Sequence, residues 1–89
     1  MVFISRPSAG FFEEYRRLPR HIREKAKRAY RLFQNNPSHR SLDFKPIRSL
    51  NGVYSARVDN DYLVLGRRDG NVIYWFWIGP HSEYDRMIP

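Results

Sequence analysis

The run of apolar and aromatic residues at 72–78 constrains the fold more than any other feature of the sequence. It is far too short to span a bilayer, which takes about 20 residues in a helix, so we expect no membrane partner. The Asp69-Gly70 pair just before it is typical of a hairpin turn. A run that is apolar on both faces predicts a central strand, with helices covering one face and other structure covering the second.

Two further strands are predicted before this run. In the first, Tyr54, Ala56 and Val58 alternate with Ser55 and Arg57, which is the period of a strand with one buried face. A turn follows at residues 59–61, and residues 62–68 form the second strand. Short connections between neighbouring strands predict antiparallel pairing. A less regular short strand is indicated at residues 44–48.

Residues 2–4 suit a first strand, after which the apolar period becomes helical. Phe11, Phe12, Tyr15 and Leu18 predict a first helix, and Ser8 is a candidate for its N-cap.

A second helix is predicted over residues 19–34. Ile22, Ala26, Ala29 and Phe33 fall on one face of it, and basic residues fill most of the remaining positions. The segment at 35–37 should end the helix, with an Asn in the left-handed conformation. A short terminal helix is predicted to open at Ser82.

These elements predict the α+β class, with residues 1–89 forming one compact domain. We expect a two-helix hairpin packed on a mostly antiparallel four-stranded sheet. The order is β-α-α-β-β-β, followed by the short C-terminal helix.

Composition removes several classes of function. The chain has no cysteine, which excludes a disulfide framework, a thiolate zinc site and a cysteine nucleophile. No paired-histidine metal spacing and no Gly-rich phosphate loop is present, so we expect neither a metal nor a cofactor. The first residues lack the pattern of a signal peptide, which predicts a soluble, cytoplasmic protein.

The basic residues are unevenly placed. Residues 1–48 hold 12 basic and 4 acidic residues, a net charge of +8, whereas residues 49–89 hold 4 and 5, a net charge of −1. Thirteen of the 16 basic residues are Arg, whose planar guanidinium suits phosphate and carboxylate groups. This predicts a polyanionic partner, either a nucleic acid or an acidic protein, and composition does not choose between them. A merely solvated helix face is the competing interpretation.

Cationic and protic residues collect at the predicted strand ends, where distant parts of the sequence meet on one surface. These residues are Lys45, Arg48, Arg57, Arg67, Arg68, His81 and Tyr84. Such a set suits cleavage of RNA without a metal, in which the 2′-hydroxyl attacks its own phosphate while a base, an acid and cations assist.

Simpler interpretations stay open for several of these residues. His81 is also consistent with a hydrogen-bonded surface residue, and Tyr84 with a lid over the sheet edge. Arg57 is equally consistent with a surface ion pair to Asp59 or Asp61. Trp75 and Trp77 resemble a platform for nucleobases, although a continuous apolar strand favours the core.

Five segments in order resemble the RelE/ParE superfamily of toxins from type II toxin–antitoxin systems. The strongest is residues 75–85, a strand followed by Gly79, His81, Tyr84 and Asp85. Residues 50–58 resemble the family segment that carries an inward Arg, here Arg57. The pair Asp61-Tyr62, which is followed by a predicted strand, matches the family as well. The pairs at 18–19 and 36–37 lie where the second helix of such toxins begins and ends.

The resemblance implies a ribosome-dependent mRNA endonuclease, with the ribosome and mRNA as partners and a cognate acidic antitoxin as inhibitor. Its implied catalytic residues are Lys45, Arg57, His81 and Tyr84, and its implied RNA-binding residues are Arg48, Arg67 and Arg68. Leu63 stands where many RelE-type members have Arg. This departure keeps two alternatives open, a ParE-like poison of DNA gyrase without catalysis and an inactive RNA-binding relative.

Overall fold

The computed structural model describes residues 2–88. Its elements in chain order are β1 (Ile4–Ser5), α1 (Ala9–Arg16), α2 (Arg20–Asn35), β2 (Lys45–Pro46), β3 (Val53–Arg57), β4 (Tyr62–Asp69), β5 (Val72–Pro80) and α3 (His81–Met87). A 3-10 turn at Arg40–Leu42 lies between α2 and β2. Within residues 2–88, no helix is long and apolar enough to cross a membrane.

The strands form one sheet in the order β1-β5-β4-β3-β2. β1 pairs with β5 in parallel, and every other pairing is antiparallel. The predicted α+β class is therefore confirmed, as is the mostly antiparallel sheet. The short strand indicated at residues 44–48 is present as β2, in which Lys45 and Pro46 pair with Ser55 and Tyr54. The predicted count of four strands is one too low because it left this strand out.

β5 is an internal strand, as the apolar run predicted, but only one of its faces is buried along its whole length. Ile73, Trp75 and Ile78 are 0%, 6% and 2% exposed on the helix side. Tyr74 and Phe76 are 38% and 40% exposed, so the expectation that both faces are covered is wrong. α1 and α2 pack on one face of the sheet and do not cover Tyr74 or Phe76.

A β-bulge in β5 changes which residues face the helices. Leu65 pairs with Trp77 and the next residue, Gly66, pairs with Trp75, so that Phe76 is the extra residue. Trp75 and Ile78 therefore both point towards the helices although they are three positions apart.

The helices form largely as predicted. Ser8 caps α1 by accepting a hydrogen bond from the backbone N–H of Phe11 at 3.1 Å. On α2, Ile22 and Phe33 are buried, and the two alanines between them are half-buried against the sheet. This confirms the predicted core face.

Two details of the helix ends differ from prediction. Asn36 ends α2 with an extended φ of −153° because the chain leaves directly into Pro37, and the residue before a proline favours extended backbone. Ser82 lies inside the first turn of α3 and does not cap it. β5 continues to Pro80, so the helix already begins at His81.

The core is built around the indole of Trp75. Phe33 and Phe44 meet it edge to face at centroid distances of 5.4 and 6.5 Å, and its Nε1–H donates to Ser5 Oγ at 3.0 Å. The core interpretation is thus confirmed for Trp75. Trp77 lies half-buried on the opposite face, against Gly79.

Close packing leaves no room for a side chain at Gly66 on β4. A Cβ there would lie 2.6 Å from Ile73 Cγ2 and 2.6 Å from Trp75 Cε3. We expect Gly66→Ala to lower the free energy of unfolding by about 1–3 kcal/mol, because strand backbone and core rings would both have to move. Denaturant titration followed by circular dichroism measures the change.

Gly10→Ala is the matched control for this substitution. Gly10 lies in α1, and the nearest atom to a Cβ there is 3.7 Å away, an ordinary contact. Alanine should leave stability unchanged or raise it by up to about 1 kcal/mol through helix propensity. Equal effects at the two glycines would contradict the packing argument.

An ion pair links the turn between β3 and β4 to α2. Lys25 Nζ lies 3.2 Å from Asp59 Oδ2, and Asp59 Oδ1 accepts hydrogen bonds from the N–H groups of Asp61 and Tyr62 at 2.8 and 2.9 Å. Burial opposes ionisation of Asp59. The two backbone hydrogen bonds and Lys25 outweigh burial and lower the pKa of this carboxyl.

Asp59→Ala should therefore destabilise the fold by about 1–3 kcal/mol near neutral pH, the range for hydrogen bonds to a charged group. A carboxyl with a lowered folded-state pKa stabilises above its unfolded pKa of about 3.9 and loses that contribution as the pH falls through the folded value. The difference in free energy of unfolding between the wild type and Asp59→Ala should be constant from about pH 5 to 8 and should become smaller below about pH 4. Asp61→Ala, an exposed neighbour, is the control, and a difference that does not narrow in acid would refute the assignment.

Candidate functional site

The register of the sheet places the predicted cations on the face opposite the helices. Residues directly across an antiparallel pair share a face. Lys45 pairs with Ser55, and Ser55 pairs with Leu65, which gives one row across the sheet. Arg57 pairs with Leu63, which starts a second row beside it. The residue between Ser55 and Arg57, Ala56, packs into the core under the helices.

α3 brings the remaining predicted residues to the same place. The β4–β5 pairing ends at Tyr62 and Pro80, and α3 begins at the next residue. The N–H of His81 donates to the carbonyl of Asp61 at 2.7 Å, which fixes the start of the helix against the β3–β4 turn. α3 therefore carries His81 and Tyr84 to the end of the sheet at which Arg57 lies.

A groove of about 300 Å³ results, and all four predicted catalytic residues line it. They are Lys45, Arg57, His81 and Tyr84. Asp43 lines it as well, a residue that no sequence pattern indicated. The four come from two strands and one helix, so only the sheet pairing and the position of α3 bring them together.

The side chains of Lys45 and Arg57 each have one polar contact within residues 2–88. Arg57 Nε donates to the carbonyl of Ser41 at 3.1 Å, and Lys45 Nζ lies 2.9 Å from the carboxylate of Asp43. Arg57 forms no salt bridge in this part of the chain, so the ion pair with Asp59 or Asp61 that the sequence left open is wrong. Asp59 pairs with Lys25 instead. The outer nitrogens of the guanidinium are left for a ligand.

His81 is oriented by its own helix. Its Nδ1 lies 3.2 Å from the carboxylate of Asp85, one turn later, and the ring of Tyr84 meets the imidazole at 5.4 Å and 63°. An ionised carboxylate only accepts hydrogen bonds, so this contact assigns a proton to Nδ1. In the neutral ring, Nε2 is then the nitrogen that can take a proton.

The three predicted RNA-binding arginines do not lie together. Arg67 is on the groove face of β4, with its guanidinium 4.8 Å from the ring of Tyr74. Arg68 is on the helix face, 4.8 Å from the ring of Phe3 and 5.4 Å from that of Tyr54, because neighbouring strand residues point to opposite faces. Arg48 is exposed in the loop between β2 and β3.

A metal site is not found in the part of the chain that the structure describes. No three His, Asp or Glu side chains between residues 2 and 88 come close enough to hold an ion. The lining of the groove combines two cations, an imidazole, two phenols and two carboxylates.

Similar folds occur among solved structures of toxins and their complexes. A chain of the RelB–RelE antitoxin–toxin complex from Methanococcus jannaschii matches with a TM-score of 0.74 and 25% identity, covering 92% of this chain and 98% of that chain. YafQ from E. coli strain BL21(DE3) has a TM-score of 0.73 and 17% identity, covering 92% and 97%. The RelBE2 complex from Mycobacterium tuberculosis has a TM-score of 0.64 and 24% identity, covering 90% and 99%.

The sequence comparisons give one family and no curated relative. No curated protein matches the chain significantly. The family model described as the ParE-like toxin domain matches residues 20–86, which runs from the start of α2 almost to the end of α3. The chain therefore belongs to the ParE-like toxin domain family, among the toxins of toxin–antitoxin systems, and its fold fits the RelE-like branch.

Proposed function

We propose that this toxin is an endonuclease that cuts mRNA on the ribosome. The observation that supports the proposal is the groove in which Lys45, Arg57, His81 and Tyr84 meet. A protein that only binds RNA needs cations on its surface, whereas an oriented imidazole beside them supplies acid–base chemistry. His81 has that orientation through Asp85.

The reaction uses the 2′-hydroxyl of the RNA as its nucleophile. Nε2 of His81 takes the hydroxyl proton as the oxygen bonds to the adjacent phosphorus, and the bond from phosphorus to the 5′-oxygen breaks. The Tyr84 hydroxyl gives a proton to that leaving oxygen. The products are a 2′,3′-cyclic phosphate and a 5′-hydroxyl. Arg57 and Lys45 stabilise the charge that builds on the phosphoryl oxygens.

Lys45 has to leave the carboxylate of Asp43 in order to bind a phosphate. In the free protein, its ammonium is held by Asp43, and both side chains are more than half exposed. An exposed pair of this kind contributes under about 1 kcal/mol, so a phosphate displaces the carboxylate at little cost. Asp43 thus keeps Lys45 beside the groove without blocking it.

The basic outer surface of α2 would provide affinity for ribosomal RNA. Arg20, Arg28 and Arg31 are exposed there, and none of the salt bridges in the described residues involves them. A polyanion releases counterions when such residues contact its phosphates, which makes binding salt-dependent. This surface is on the opposite side of the sheet from the groove, so anchoring and cleavage use separate residues.

An antitoxin is the second proposed partner. The solved relatives include complexes of a toxin with an antitoxin, RelB with RelE and DinJ with YafQ. By analogy, a small acidic antitoxin would bind this chain and neutralise its basic surface. The proposed partners, ribosome and mRNA, place the activity in the cytoplasm.

Poisoning of DNA gyrase is the second candidate function. Leu63, which occupies the position of an Arg in many RelE-type members, is 7% exposed and lies across from Arg57. Its apolar side chain adds no charge to the groove, which leaves phosphate stabilisation to Arg57 and Lys45. A protein-binding toxin would not need a further cation there.

His81→Ala and Arg57→Ala should each slow ribosome-dependent mRNA cleavage. We expect a loss of about 10²–10⁴-fold for the acid–base residue and about 10²–10³-fold for the cation that stabilises the transition state. Mapping of mRNA ends after a timed reaction with purified ribosomes measures both. Thermal unfolding should be nearly unchanged, because both side chains are exposed.

His21→Ala and Arg6→Ala are the matched controls for these two variants. Both residues are exposed, and neither lines the groove. Both control variants should cleave mRNA at the wild-type rate. Intact transcripts together with loss of DNA supercoiling by gyrase would replace the nuclease proposal with the gyrase proposal. RNA binding without either activity would identify an inactive relative.

Replacing Arg20, Arg28 and Arg31 together by Gln should weaken ribosome binding without changing the groove. If each contacts a phosphate, the slope of log affinity against log salt should fall by about three. Binding of the full chain to purified ribosomes over a salt series measures the slope. An unchanged slope would show that the RNA contacts lie elsewhere.

A further inference from the structure

The turn between α2 and β2 is held at its start by a histidine side chain. His39 precedes the 3-10 turn Arg40–Leu42, and its Nδ1 accepts a hydrogen bond from the backbone N–H of Ser41 at 3.1 Å. The Ser41 hydroxyl lies 2.8 Å from the same nitrogen. His39 therefore acts as an N-cap, a position more often filled by Ser, Thr, Asp or Asn.

The other end of the turn is held by the core and by an unusual backbone conformation. Leu42 is 2% exposed and belongs to the core cluster around Trp75. Asp43 has φ 45° and ψ 45°, and it is the only residue other than glycine with a positive φ between residues 2 and 88. This reversal sends the chain into β2, where Lys45 lies.

The residue between these two ends contacts the groove. The carbonyl of Ser41 accepts the hydrogen bond from Arg57 Nε, and within residues 2–88 no salt bridge competes for that guanidinium. An arginine side chain has several rotatable bonds, and one fixed acceptor at Nε restricts where its outer nitrogens point. The direction of the Ser41 carbonyl depends in turn on the cap at His39.

We propose that His39 is a positioning residue for Arg57, acting through the capped turn and the Ser41 carbonyl. Lys45 is held separately, by Asp43, which follows the turn. His39 and Ser41 are exposed, so the cap and not burial keeps this part of the turn in place. The effect on cleavage rests on the proposed nuclease function, whereas the effect on Arg57 itself does not.

His39→Ala removes the cap and should lower the rate constant for mRNA cleavage by about tenfold, because a small misplacement of a catalytic group is costly to rate. KM should change little. His39→Asn supplies a side-chain oxygen for the same N–H and should restore the rate to within about threefold of wild type. His21→Ala is the control for loss of an exposed imidazole.

A double-mutant comparison separates positioning from a general structural effect. Arg57→Lys keeps a cation but has no Nε–H for the Ser41 carbonyl. If His39 acts through Arg57, His39→Ala should cause no further loss in the Arg57→Lys background. An equal loss in both backgrounds, or no loss in either, would overturn the proposal.

A measurement independent of activity tests the same inference. The Arg57 Nε–H signal in a ¹⁵N-correlated NMR spectrum should be protected from solvent exchange in the wild type and in His39→Asn. It should exchange faster in His39→Ala. Equal exchange in all three proteins would overturn the proposal, whether or not the toxin cuts mRNA. A wild type that shows the protected signal but leaves mRNA intact would refute the nuclease function alone.

Discussion

The packing of Trp75 against Gly66 is the contact on which the rest of the structure depends. The indole occupies the space that a side chain on β4 would need, and two phenylalanines close around it from α2 and from the loop before β2. Burial of an aromatic ring of this size is among the largest single contributions in a small core. It fixes α2, β4, β5 and the loop at 39–44 relative to one another. The predicted catalytic residues of the groove lie on β2, β3 and α3, which pair with these elements or follow them directly in the chain.

The bulge at Phe76 explains how β5 contributes residues to the core and also sets the position of α3 at the groove. It lets Trp75 and Ile78 both face the helices, and it lets β5 continue to Pro80 in register with Tyr62. α3 then begins at the residue where His81 reaches the β3–β4 turn. The groove is consequently made from the ends of elements whose positions are set by the core, which suits a site that has to hold charged groups in fixed directions.

The basic residues of the toxin lie in two separate sets. α2 carries a basic surface on its outer side, and between residues 2 and 88 two cations, Lys45 and Arg57, line the groove on the opposite face of the sheet. In the proposed function, the first set attracts a polyanion over a long range, and this attraction weakens with salt. The second set would stabilise phosphate locally, and each of its members is held by a residue at 41–43.

The sequence by itself determined the strands at 53–58, 62–68 and 72–78 and the apolar face of α2, because burial imposes a period that can be read directly. It also predicted four of the residues that line the groove, through their places at strand ends and the resemblance that they share with the family. It did not determine the bounds and pairing of the strand at 45–46, the exposure of Tyr74 and Phe76, or the contacts of His39, Ser41 and Asp43. A two-residue strand has no period, and exposure depends on which face the helices cover. The contacts of the turn join residues up to 16 positions apart through a backbone carbonyl, which leaves no pattern in the side chains. Only the tertiary structure decided those features.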